Sequence, residues 1–140
     1  MEWKKGVISG IIAGIVMLLI GLVFMMIPFT PGVTQWYSVT FPEMSSPMAM
    51  SIMMAGIVLS GIFMGLVYSV INSAVPGEGA RKGVNYGIMV WLLAGLMWPI
   101  MMMGFAPAYM WITELINGLI TYSIAGAVIA IIYKKLSTSD

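Results

Sequence analysis

Four apolar stretches, 6–27, 48–73, 83–103 and 108–133, make up most of this chain, and each is long enough to cross a bilayer as a helix. A crossing takes about 20 residues, because roughly 30 Å of hydrocarbon is covered at 1.5 Å per residue. Lipid offers no partner to an open N–H or C=O, so a run of this length is compatible only with a helix that satisfies its own backbone. Composition agrees, since 61% hydrophobic and 8% charged residues with a mean hydropathy of +1.02 lie far from soluble usage. The expected fold is an all-α membrane protein, a single domain over 1–140 with four transmembrane helices in the lipid bilayer.

The stretch boundaries carry their own signals. Ser45-Ser46-Pro47 supplies an N-cap and a first-turn proline for the second helix, and Pro107 marks the start of the fourth. Lys4-Lys5 resembles the start of a signal peptide, but the apolar run that follows exceeds the usual 7 to 15 residues and no small-x-small cleavage site ends it, so it reads as a retained first span. The connection from Pro28 to Pro47 has aromatics and prolines without a clear period, and is expected to form a short interfacial segment.

All six basic residues fall in three pairs, Lys4-Lys5, Arg81-Lys82 and Lys134-Lys135, which four crossings bring to one face. The positive-inside rule makes that face cytoplasmic, with both termini in the cytoplasm of a multi-pass cell-membrane protein. The opposite connections hold Glu43 and no Lys or Arg, together with Trp36, Tyr37, Phe41, Tyr109 and Trp111, residues suited to an interfacial belt.

A net charge of +1 and the absence of a basic surface exclude a nucleic-acid partner. Cys and His are both absent, so there is no thiolate or imidazole for metal, cofactor or nucleophilic chemistry. No nucleophile, base and orienter recur at workable spacing, and the chain is not expected to be an enzyme. The glycine-rich "PGEGARKG" at 76–83 lacks the preceding strand and the GK[ST] ending of a phosphate cradle.

Small residues recur at helical spacing. Gly6, Gly10, Gly14 and Gly21 share one stripe of the first helix, Gly61 and Gly65 one of the second, and Gly83 and Gly87 one of the third. Such small-xxx-small patterns let backbones approach and gain contacts that lipid does not provide; a glycine-lined pore or a hinge is the alternative. Four short glycine-ridged helices bury little by themselves, which points to a homo-oligomer or to partner membrane subunits.

"KGVISGI" at 5–11 matches "KGVNYGI" at 82–88, an offset of 77, and "GIFMGLVY" ending at Tyr68 matches "GAVIAIIY" ending at Tyr133, an offset of 65. The matches fit two helical hairpins in parallel repeat. Chance matching among common span residues fits them too.

The segments "GIIAGIVMLLIGLVFMMIP", "GIFMGLVYSVINSAVPG" and "RKGVNYGIMVWLL", with a proline later in the third span, make the chain similar to small four-helix prokaryotic membrane proteins classed as domains of unknown function. Some members of that group carry a histidine in the second helix, which this chain lacks. The resemblance implies a four-helix fold and no particular activity.

Two features invite a functional reading. Sixteen methionines, with Met97 and Met101 one turn apart and Met44, Met48, Met50, Met53 and Met54 clustered about the start of the second helix, raise Cu(I) handling, since thioethers are soft ligands; unbranched packing filler is the plainer account. Glu114 is sharper, because a carboxylate in hydrocarbon costs a few kcal/mol unless paired, hydrated or protonated. Counting about 20 residues back from Tyr133 places it near the outer boundary, wetted there or at the mouth of a cavity. Asn117, Gly118, Thr121 and Ala125 follow on the same face, so Glu114, Asn117 and Thr121 form a candidate ligand or ion site for a proton, a cation or an amine in a transporter or channel. The competing function is a non-catalytic structural or accessory subunit. Pro99 cannot donate to Gly95 and should kink or break the third helix, freeing a carbonyl for Asn117 or Glu114.

Overall fold

The computed structural model describes residues 2–27 and 31–138. It is helical throughout, in the order α1 (Trp3–Met25), α2 (Pro31–Thr40), a 3-10 turn (Pro42–Ser45), α3 (Pro47–Ile71), α4 (Gly79–Val90), a π-helical turn (Trp91–Gly95), α5 (Met97–Met102) and α6 (Ala108–Ser137). Among the described residues four helical segments are long and apolar enough to cross a membrane: α1, α3, the composite Gly79–Met102, and α6.

The long connection is not irregular: α2 occupies most of it, although its first residues, 28–30, lie outside the described residues. Ser46 caps α3 by accepting from the Ala49 N–H at 3.2 Å, with Pro47 in the first turn. Pro107 takes a different position from Pro47, standing at the N-cap of α6 with extended backbone rather than inside the first turn. Helix α4 begins four residues before the predicted span because Gly77 and Gly79 take positive φ and turn the chain early. The Asn85 side-chain amide ties that turn down by donating to the Pro76 carbonyl at 2.9 Å.

The glycines bring backbones into direct contact. A Cβ built on Gly10 would lie 2.6 Å from the Gly61 carbonyl oxygen, and one on Gly14 would lie 2.8 Å from the Val58 Cα. A Cβ built on Gly6 would lie 2.8 Å from the Gly65 carbonyl oxygen and 3.1 Å from the Ser69 Cβ. In the second hairpin a Cβ on Gly83 would strike the Gly126 carbonyl and the Ala130 side chain, and one on Gly87 the Tyr122 carbonyl. These glycines stand where the backbones of neighbouring helices come together. Gly21 is the exception, with nothing within 4 Å, as is Gly56 across the hairpin. Helices α1 and α3 separate beyond their glycine contact, and the end of α3 from Met48 to Met54 is exposed apart from Ala49.

The two hairpins present the same contacts. Gly65 meets the Gly6 carbonyl and the Gly10 backbone, while Gly126 meets the Gly83 carbonyl and the Gly87 backbone. By contact, Gly126 stands where Gly65 stands, an offset of 61 against 77 for Gly6 and Gly83. The alignment of Tyr68 with Tyr133 is thus displaced by about one helical turn from the pairing that the contacts give.

Helix α1 packs on both α3 and α6, and Ser137 donates to Glu2 at 3.4 Å, so the basic pairs share one end of the bundle, here the basic end. The core lies toward that end. It is built from Ala13, Met64, Tyr68, Tyr86, Ala125 and Ile129 with their neighbours. The Tyr86 hydroxyl donates to the Met64 carbonyl at 2.6 Å, and the Tyr68 ring packs edge-on to Tyr86 and Tyr133. The buried hydroxyls of Ser9 and Ser69 donate to carbonyls three residues back in their own helices, so neither is left without a partner.

Candidate functional site

The far end of the bundle is looser, and the site lies there. Pro99 removes one donor from the helical ladder; ahead of it the Leu96 N–H reaches back five residues to the Trp91 carbonyl at 2.9 Å, opening the π turn before α5 resumes. The predicted break is present, as a widened turn. Among the described residues neither Asn117 nor Glu114 bonds the carbonyl of Gly95 that Pro99 leaves free. Wide turns of this kind recur at functional sites because they displace side chains from regular helical positions. Here the displaced residue is Trp91. Its ring lies against Gly95 and Gly118, where a Cβ would come within 2.7 Å of its Cδ1 and 2.9 Å of its Nε1, respectively.

Between the π turn, α5, α6 and Ile57 of α3 lies a cavity of about 320 Å³. Glu114, in the second turn of α6, lines it together with Asn117, Gly118 and Thr121 one and two turns further along the helix. The three candidate residues therefore meet in one cavity. Ala125 does not join them, being fully buried in the core. The polar stripe of α6 stops at Thr121, and packed side chains close it toward the basic end.

Glu114 is half-buried, and the Tyr37 hydroxyl of α2 donates to its Oε1 at 3.1 Å. The Trp98 indole N–H in turn donates to the Tyr37 oxygen at 3.2 Å. The carboxylate is thus part-buried and hydrogen-bonded to a residue of another helix. Burial, and next the negative charge of Glu114, push the Tyr37 hydroxyl up to about 12, against the opposing donation from Trp98. The phenol therefore stays protonated and remains a donor.

Deeper in the cavity Thr121 donates its hydroxyl to the Asn117 side-chain carbonyl at 3.1 Å, rather than to its own backbone. This engages one lone pair of the Asn117 carbonyl and leaves its amide N–H groups for other partners. The Trp91 Nε1 is buried with no hydrogen-bond partner among the described residues. An unpaired donor of this kind costs about 1 to 3 kcal/mol.

An aromatic cluster holds the roof. Trp36 of α2 stacks on Phe105 at 6.2 Å and packs edge-on to Phe41 at 5.9 Å, while Phe105 also meets Trp98 at 6.3 Å. Of the residues read from sequence as a belt, Trp36 joins α2 to the turn between α5 and α6 through Phe105, Tyr37 joins it to Trp98 and Glu114, and Phe41 packs on Trp36 and Tyr37. Tyr37 and Trp98 escaped sequence reasoning as site residues because no local pattern links them to Glu114. The methionines of both groups named above are exposed, while Met102 and Met110 are core filler.

Comparison with known proteins gives no match: no family model, no curated protein and no solved structure aligns significantly with the chain.

Proposed function

We propose that this is a multi-pass protein of the cell membrane, with both termini cytoplasmic, that binds a cation at its outer mouth through Glu114 in the service of transport. The carrying observation is a carboxylate withdrawn into a cavity of the spanning bundle and held there by a donor from another helix. A charged side chain at the centre of a spanning helix costs about 2.5 to 3.5 kcal/mol on the insertion scale, and intramembrane carboxylates mark ion and proton pathways by default. A proton, a metal cation or an amine are the ligands that a single carboxylate takes. Passage onward requires the packed core beyond Thr121, with Ala125 and Ile129, to part. No catalysis is assigned, since in a chain without His or Cys it would have to run on Glu114, hydroxyls and the lysines of the basic end. The test is flux of protons and monovalent cations into proteoliposomes, wild type against Glu114→Gln. A flux that the variant lowers at least tenfold supports transport, and equal flux, or none in either, removes it.

A second reading, an assembly or accessory subunit, is favoured by the separated ends of α1 and α3. Gly21 and Gly56 sit there with nothing within 4 Å, on helices whose other glycines are in backbone contact. Native mass spectrometry from mild detergent tests it. A monomer with no co-purifying subunit would remove this reading.

A further inference from the structure

The reading of the cavity as a cation site leaves the cation open, and the walls narrow it. We infer, resting on that reading, that the occupant is a compact organic ammonium ion whose charge sits on Glu114 and whose alkyl groups lie against Trp98 and Tyr122, rather than a bare metal ion.

The oxygen supply argues against a metal. Hard cations take six or more oxygens in a near-regular shell, whereas Glu114 is the sole acidic residue in the lining, and among the described residues no three Asp, Glu, His or Cys gather anywhere. The other side-chain oxygens of the lining residues, on Asn117, Thr121 and Tyr122, belong to neutral groups, so a metal ion would find one anionic ligand there.

The same arrangement suits an ammonium. A substituted ammonium needs one counter-charge and tolerates apolar surroundings for its carbon atoms, and it gains further from aromatic rings within about 6 Å. The remaining lining supplies such surroundings, with Ile57, Ala94 and Pro99 beside the Trp98 and Tyr122 rings. The Trp98 ring is held in place by its N–H donation to Tyr37. Size agrees, because about 320 Å³ is far more than a bare ion fills and lies at the small end of the roughly 300 to 1,000 Å³ typical of organic-ligand sites.

The experiment titrates the purified full chain in detergent with tetramethylammonium and ethylammonium chlorides, and separately with sodium, potassium and magnesium chlorides, following heat by calorimetry. Saturable binding of an organic ammonium, with no saturable binding of the metal salts, is the expected result. Glu114→Gln should weaken it at least tenfold. Trp98→Leu should weaken it by about tenfold, while Trp98→Phe, which keeps a ring but not the N–H, should stay within about threefold. Circular dichroism melting of each variant verifies that it is folded; should Glu114→Gln fail to fold, the two Trp98 variants carry the test. Metal ions that bind as well as the ammonium ions, or a Trp98→Leu variant that binds like wild type, would overturn the ammonium inference and leave the cation site standing. Wild type that binds neither class would overturn both.

Discussion

Tyr37 and Glu114 are separated by 77 positions in the chain, yet the Tyr37 hydroxyl donates to the Glu114 carboxylate at 3.1 Å. That one bond fastens α2, which is too short to span a membrane, onto the second turn of α6.

Tyr37→Phe should therefore loosen the roof without disturbing the bundle beneath it. A hydrogen bond to a charged group contributes about 1.5 to 3 kcal/mol, and the Trp98 indole N–H loses its acceptor in the same substitution. Hydrogen exchange of the α2 amides should accelerate, while that of Ala125 to Ala130 in α6 stays protected. Unchanged exchange in α2 would show that the aromatic contacts of Trp36 hold the roof alone.

The same phenol gives a pH dependence with a defined sign. Its ordinary value of 10.0 is pushed up to about 12 by burial and by the charge of Glu114, so the folded state favours the protonated form. The associated stability is complete below pH 10.0 and is lost as pH rises toward about 12. Tyrosinate absorbance should show one phenol fewer titrating above pH 11 in Tyr37→Phe than in wild type. In Glu114→Gln that phenol should titrate earlier, since its second cause is removed; an unmoved titration would show that burial alone sets it.

The four spans were legible because their length and apolar content leave the backbone no other way to be satisfied. Gly6, Gly10, Gly61, Gly65, Gly83 and Gly87 were legible as packing residues because close helix contact needs small residues at fixed spacing. The meeting of Glu114, Asn117 and Thr121 followed from helical periodicity alone. What periodicity does not encode is the partner from elsewhere. Tyr37 meets Glu114 and Trp36 meets Phe105, both tertiary contacts between segments far apart in the chain. Gly126 had a local signal, lying eight residues after Gly118 with Tyr122 between them, although its role appears only against Gly83 and Gly87. Gly21 misled for the converse reason, since its stripe continues in sequence after the two helices have separated in space.

The glycine contacts predict a graded series. Gly87→Ala sets a methyl against the Tyr122 carbonyl and Gly65→Ala one against the Gly6 carbonyl, backbone groups that do not yield as a flexible side chain does. Each should lower stability by about 1 to 3 kcal/mol, the usual cost of overpacking. Gly21→Ala and Gly56→Ala meet open space and should be neutral or slightly stabilising, because alanine is the better helix former. Thermal unfolding in detergent separates the two groups. A destabilising Gly56→Ala would instead indicate that another subunit packs on that face.

The last prediction concerns sidedness. The basic pairs lie at one end of the bundle, and Glu114 and α2 lie at the other; the positive-inside rule turns that separation into an orientation. Because the chain contains no cysteine, single-cysteine variants report position without background. A cysteine at Ser38, exposed on α2, should react with a membrane-impermeant maleimide on intact cells. Cysteines at Glu2 and Thr138, exposed at the basic end, should react only after permeabilisation. Labelling of Glu2 and Thr138 with Ser38 protected would invert the protein. The carboxylate would then open to the cytoplasm, and a cation that it binds would be drawn from the cytoplasmic pool rather than from outside. Labelling of all three from one side would be incompatible with four crossings, since α1 alone must carry the chain from Glu2 to the α2 side.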